Sequence, residues 1–116
     1  DVEVKLDNEI ISALVKAKNA LPNVENVVVE PDELGLGFTF GGDIEYANKV
    51  SYFIQNITPP ESTFKLIYNS DLLKEILICN KSMDEDKLYV KSNGLMKLTF
   101  SNKNLQSTYY IVAKEQ

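Results

Sequence analysis

Apolar and polar residues alternate with period two at Val2-Glu3-Val4-Lys5-Leu6, the pattern of a strand with one buried face. The period then lengthens. From Asp7 or Asn8, either able to cap a helix, Ile10, Ala13, Leu14, Ala17, Ala20 and Leu21 recur on one helical face, flanked by Ile11 and Val15. Asn8, Ser12, Lys16 and Asn19 fall opposite, and Pro22 stops the helix. Strand-like runs follow at 24–30, 34–40 and 44–54, separated by Pro31-Asp32-Glu33 and Gly41-Gly42-Asp43. Pro59-Pro60 breaks the chain, after which the order restarts. A strand at 63–68 leads to a helix over about 71–82, capped by Asn69 or Ser70, with Leu72, Leu73, Ile76, Cys79 and Met83 as its apolar stripe. A meander at 86–92, 95–100 and 105–114 ends the chain, turning at Asn93-Gly94 and at 101–104.

Strand, helix and three strands thus occur twice. Ile10-Ile11 matches Leu72-Leu73 and Val28 matches Val90, both 62 residues apart. Phe38-Thr39-Phe40 matches Leu98-Thr99-Phe100 at 60, and Ser51-Tyr52-Phe53-Ile54 matches Thr108-Tyr109-Tyr110-Ile111 at 57. The shrinking offset is assigned to turns, where length changes cost least. The predicted class is α+β: a duplicated β-α-β-β-β unit with halves 1–61 and 62–116 in one domain, its two helices on one face of antiparallel sheets. The long edge runs 44–54 and 105–113 predict self-association through edge strands.

Composition narrows the function. With no histidine and no arginine among 116 residues, the commonest general base and the bidentate phosphate clamp are both missing. An enzyme is not expected, nor a cofactor. A net charge of −5 argues against nucleic-acid binding by bulk electrostatics, without excluding one lysine-bearing face. No apolar run is long enough to span a bilayer. A single cysteine, Cys79, on the predicted apolar stripe reads as a small buried hydrophobe. The chain opens at Asp1 without methionine, so it is expected to be a cleaved product, a fragment or an excised domain, such as the C-terminal part of a longer chain.

The repeat, the helix start Asn69-Ser70-Asp71-Leu72-Leu73, the segment Lys87-Leu88-Tyr89-Val90 and the ending Tyr109-Tyr110-Ile111-Val112-Ala113-Lys114 together resemble a domain of the sliding clamps, the DNA polymerase processivity factors. The resemblance spans the whole chain and rests on pattern and order. It implies a ring of six such domains around duplex DNA, helices inward and sheets outward, with DNA polymerase docked by a short peptide and a clamp loader as further partner. On that reading Lys16, Lys18, Lys74 and Lys81 face DNA phosphates, and Ile111, Val112 and Ala113 form one wall of the partner-peptide pocket. The resemblance, with the lysine- and asparagine-rich composition, points to the cytoplasm of a bacterium or a phage-infected host.

Two departures are visible in the residues. One domain is not a whole clamp chain unless six copies close the ring, and the two helices carry no net charge: Asp7 and Glu9 offset Lys16 and Lys18, and Asp71 and Glu75 offset Lys74 and Lys81. The same lysines also complement helix dipoles, and residues 111–113 also read as an ordinary terminal strand. An interaction or structural module that binds no DNA is therefore the competing reading. Asp84-Glu85-Asp86 lacks the spaced ligands and central glycine of a calcium loop and reads as a solvated turn. The glycines at 35, 37, 41 and 42 read as turns and a bulged strand, since no lysine-serine/threonine pair of a phosphate loop follows. Tyr109 and Tyr110 point to opposite strand faces, so at most one joins the core.

Overall fold

A computed structural model describes residues 2–31, 35–42, 48–55, 63–81 and 83–115. The elements follow the chain as β1 (Val2–Leu6), α1 (Asn8–Ala20), β2 (Asn26–Pro31), β3 (Gly35–Gly41) and β4 (Lys49–Gln55). They are followed by β5 (Leu66–Asn69), α2 (Ser70–Cys79), β6 (Glu85–Val90), β7 (Leu95–Ser101) and β8 (Gln106–Val112). Each helix starts by the same device. The Asp7 carboxylate accepts from the Ile10 amide at 2.8 Å, and the Asn69 side chain accepts from the Leu72 amide at 2.9 Å.

The two units exchange their first strands. One sheet runs β1-β6-β7-β8 and the other β4-β3-β2-β5, all neighbours antiparallel. Val2 pairs with Val90 and Leu6 with Asp86, while Tyr68 pairs with Val27. The registers superimpose throughout: Leu6 corresponds to Tyr68 at an offset of 62, Val27 to Asp86 at 59, Phe40 to Phe100 at 60 and Val50 to Ser107 at 57. The duplication is therefore real. One expected match is corrected, because Val90 corresponds to Pro31 and not to Val28. Nor does the offset shrink only in turns. Its first change, from 62 to 59, coincides with α2 having 10 residues where α1 has 13. The boundary expected at 61/62 lies outside the described residues.

Both helices lie side by side, α1 on β3 and β4 and α2 on β2 and β5. The core between helices and sheets gathers Phe38, Phe40, Tyr68, Leu88, Leu98 and Phe100, all at most 1% exposed. Each helix turns a slightly different face inward than the sequence suggests. Ile11, Leu14, Val15, Ala17 and Lys18 are buried on α1, whereas Ala20 is exposed. On α2 the buried positions are Ser70, Leu73, Ile76 and Leu77, while Leu72 and Cys79 are exposed. The cysteine expected in the core lies at the surface because Leu77 and Asn80 take the inward positions.

The glycine-rich strand β3 is continuous with both neighbours, without the expected bulge. Gly37 leaves room for Phe53, whose ring would lie 3.0 Å from an added Cβ. Gly41 at the end of β3 and Gly42 after it take φ of 78° and 79°, while Asp43 of the expected turn lies outside the described residues. The chain after β8 crosses to β5. The Ala113 amide donates to Gly94 O at 2.9 Å and the Lys114 amide to Ile67 O at 2.8 Å. The buried Tyr68 hydroxyl also donates to Gly94 O at 3.0 Å, and burial pushes its pKa up to about 12. The Lys114 bond is one backbone contact to the outer side of β5, and β4 and β8 are the outer strands of the two meanders. No helix among the described residues is long and apolar enough to cross a membrane.

Candidate functional site

The helical face and the C-terminal strand are the two surfaces singled out by the sequence. On the first, the four lysines separate. Lys16 and Lys81 are exposed and Lys74 is half-buried, but Lys18 is only 2% exposed. The Lys18 ammonium donates to Pro22 O at 2.8 Å and Val24 O at 2.6 Å, and lies 3.3 Å from the Asp71 carboxylate. Val24 O also accepts from Ser70 Oγ at 2.7 Å, so the end of α1, the following loop and the start of α2 are tied at one point. Lys18 is thus withdrawn from the surface. Its aliphatic stem lies among core residues and its charge is satisfied internally.

That contact also fixes the helices as antiparallel neighbours, with the end of α1 beside the start of α2. Lys16 and Lys74 accordingly lie toward one end of the helical face and Lys81 toward the other. Leu72 precedes Lys74 on α2 and Ile78 follows it, each 43% exposed, and Glu75 is exposed on the same helix. The face has no concentration of positive charge.

On β8 the period-two alternation splits the expected trio. Ile111 points inward and is buried opposite Met96, Val112 points outward at 73% exposure, and Ala113 is half-buried beyond the strand. Tyr109 faces inward and meets Phe100 edge-on, with centroids 5.9 Å apart at 72°. Tyr110 faces outward at 60% exposure. The outward apolar residues that meet are therefore Tyr110, Val112 and Leu95, the last in register with Val112. A groove of about 210 Å³ lies beside them, lined by Tyr89, Lys91, Leu95, Lys97 and Tyr110. Tyr89 is held in place here: the Lys97 ammonium lies 5.5 Å from its ring centroid. Burial, together with a hydrogen bond to Glu3 and that residue's charge, holds the Tyr89 phenol above its usual pKa.

No protein-family model and no curated protein matches the chain by sequence. The likeness is structural. PCNA from Thermococcus kodakaraensis superimposes with a TM-score of 0.75 at 12% identity, over 99% of this chain and 47% of that one. The Helicobacter pylori beta clamp bound to a DNA ligase peptide gives 0.62 at 16% identity, over 98% and 29% of the two chains. The beta subunit from DNA polymerase of Streptococcus pyogenes gives 0.61 at 16% identity, over 97% and 30%. The fold is sliding-clamp-like.

At these identities the likeness is one of fold, and the chain spans less than half the length of each of these three proteins. Residues 111–113, expected to form one wall, do not share a face: Ile111 is buried, and Val112 faces outward with Tyr110 and Leu95. The signal that finds this outward set is the alternation itself, which places 108, 110 and 112 together on one face. Tyr89 and Lys97 could have been found only from the pairing register, which joins 89 to 97 and 97 to 110.

Proposed function

We propose that this chain is a sliding-clamp domain that encircles duplex DNA as one segment of a ring and tethers a DNA polymerase to its template. The observation that carries this reading is the match of nearly the whole chain to clamp structures, together with two antiparallel helices side by side in a domain of two antiparallel four-stranded sheets. The ring closes through the outer meander strands, β8 of one segment against β4 of the next, since backbone groups at a sheet edge seek a partner strand. Lys16, Lys74 and Lys81 give weak, sequence-independent contacts to phosphates. Topology holds the DNA, so their low charge density permits sliding. Leu95, Tyr110 and Val112 receive an apolar anchor of the polymerase peptide, with buried Ile111 supporting them from below and Ala113 closing the end. A clamp loader opens the ring. The role is non-catalytic, needs no cofactor and is exercised in the cytoplasm of a bacterium or a phage-infected cell.

Retention on nicked circular plasmid tests the proposal. The loaded protein should co-elute with the circle in gel filtration and be released when the plasmid is cut once. Equal retention on circular and linear DNA would refute encirclement. A second reading is favoured by the exposed Leu72 and Ile78 on α2. Such a surface suits an interaction module without DNA, and failure to be retained on the circle in the presence of a loader would select it.

A further inference from the structure

The outward face of the β1-β6-β7-β8 sheet carries an arrangement that the ring reading leaves unused. Across neighbouring strands, Glu3, Tyr89, Lys97 and Tyr110 stand in one register row. The row beside it reads Lys5, Lys87, Thr99 and Thr108. With strands about 4.8 Å apart, Tyr89 and Tyr110 stand roughly 10 Å apart with a lysine between them.

Lys5 directly opposite Lys87 is a like-charge cross-strand pair, an unfavourable choice unless an anion is shared. Glu3 relieves only Lys87, at 4.0 Å. Among the described residues, Lys5, Lys91 and Lys97 have no carboxylate within ion-pairing distance. Two contiguous grooves of about 210 and 240 Å³ run over the face and share Tyr89 and Lys97. On a chain of net charge −5, unpaired lysines alternate here with aromatic rings, one of them 60% exposed.

We propose that this sheet face binds single-stranded nucleic acid, with bases stacked on Tyr89 and Tyr110 and phosphates held by Lys87, Lys91 and Lys97. Flat rings on an antiparallel sheet offer stacking surfaces to any base, and lysines between them follow the backbone. The Lys97 ammonium, 5.5 Å from the Tyr89 ring centroid, fixes one ring before the ligand arrives, which lowers the ordering cost on binding. Tyr110 also belongs to the peptide row, so an apolar peptide and the single strand exclude one another at that end.

The test is fluorescence anisotropy of a labelled twelve-nucleotide oligo-dT titrated with the chain. Binding should weaken about 20-fold between 50 and 200 mM salt, the response to roughly three neutralised phosphates on a single strand. Tyr89→Ala and Tyr110→Ala should each weaken it roughly 5- to 100-fold, with the phenylalanine variants close to the parent. Lys87→Glu with Lys97→Glu should abolish it, while glutamate at Lys16, Lys74 and Lys81, the weak duplex contacts, should weaken it far less. Thermal melts of every variant separate lost binding from lost folding. The proposal is overturned if the oligonucleotide does not bind at 50 mM salt, or if binding follows the helical lysines. It is equally overturned if the tyrosines prove dispensable, or if the face takes only an acidic peptide. A linear oligonucleotide is not retained by a ring, so failure here leaves encirclement standing, and failure of circle retention leaves this site standing.

Discussion

Asp86 offers the sharpest energetic test of the fold. It sits on the inward face of β6, in register between Leu6 and Phe100, at 3% exposure, and its Oδ1 has no hydrogen-bond partner among the described residues. The corresponding residue in the first half is Val27, which is fully buried. Burial, with the nearby Asp84 charge adding to it, pushes the Asp86 pKa up from 3.8 to about 6. An acid whose folded pKa lies above its unfolded one holds an extra proton in the fold. Its stabilising protonated form is fully present below about pH 4 and is lost as pH rises through about 6. A shift of about 2 pKa units corresponds to ~3 kcal/mol at neutral pH. Asp86→Val removes that penalty and supplies a β-branched residue suited to a strand. Urea unfolding should find the variant ~3 kcal/mol more stable than the parent at pH 7.5, a midpoint shift on the order of 1–3 M. The advantage should shrink steadily toward pH 4.5. Comparing the two proteins at each pH cancels the other carboxylates. A difference independent of pH, or a variant less stable at pH 7.5, would refute the reasoning.

Two further predictions concern the helices. Lys18→Met should cost about 2 kcal/mol, because Pro22 O loses a buried donor and Val24 O loses one of two, whereas Lys16→Met should change stability by less than ~0.5 kcal/mol. Equal losses for both would mean that the buried ammonium is not bound as described. Asp7→Ala and Asn69→Ala should each cost about 1 kcal/mol, since the two caps are equivalent, with Asn8→Ala as the neutral control in urea titrations. A cost confined to one of the two would break the equivalence of the halves.

Much of this architecture is legible in the residues. Each strand has one wet face, so period-two alternation survives in β1, β6, β7 and β8, and Asp7 and Asn69 announce their helices by local chemistry. What local pattern does not encode is partnership. Nothing in Val2–Leu6 tells that it pairs with a strand more than 80 residues away, so the exchange of first strands is invisible until the sheets are formed. The likeness of Val28 to Val90 misleads for the same cause: the two residues hold different register positions and face opposite sides of their sheets. Lys18 misled in another way. A lysine at the inward edge of a helix reads as solvent-facing, yet two carbonyls and Asp71 make burial tolerable. The trio at 111–113 was a contiguous run, and strands do not present contiguous runs to one side.

The exchange of first strands has a further consequence for how the molecule is made. During synthesis β2, β3 and β4 emerge with no fourth strand until β5 follows, and β1 waits longer still, because Val2 finds its partner only when Val90 has appeared. Such distant pairing implies a high contact order and slow, late closure, with exposed strand edges in the interval. A nascent chain paused after the first half holds one unpaired strand and one incomplete sheet, the state in which neighbouring copies on a polysome are most prone to exchange strands with each other.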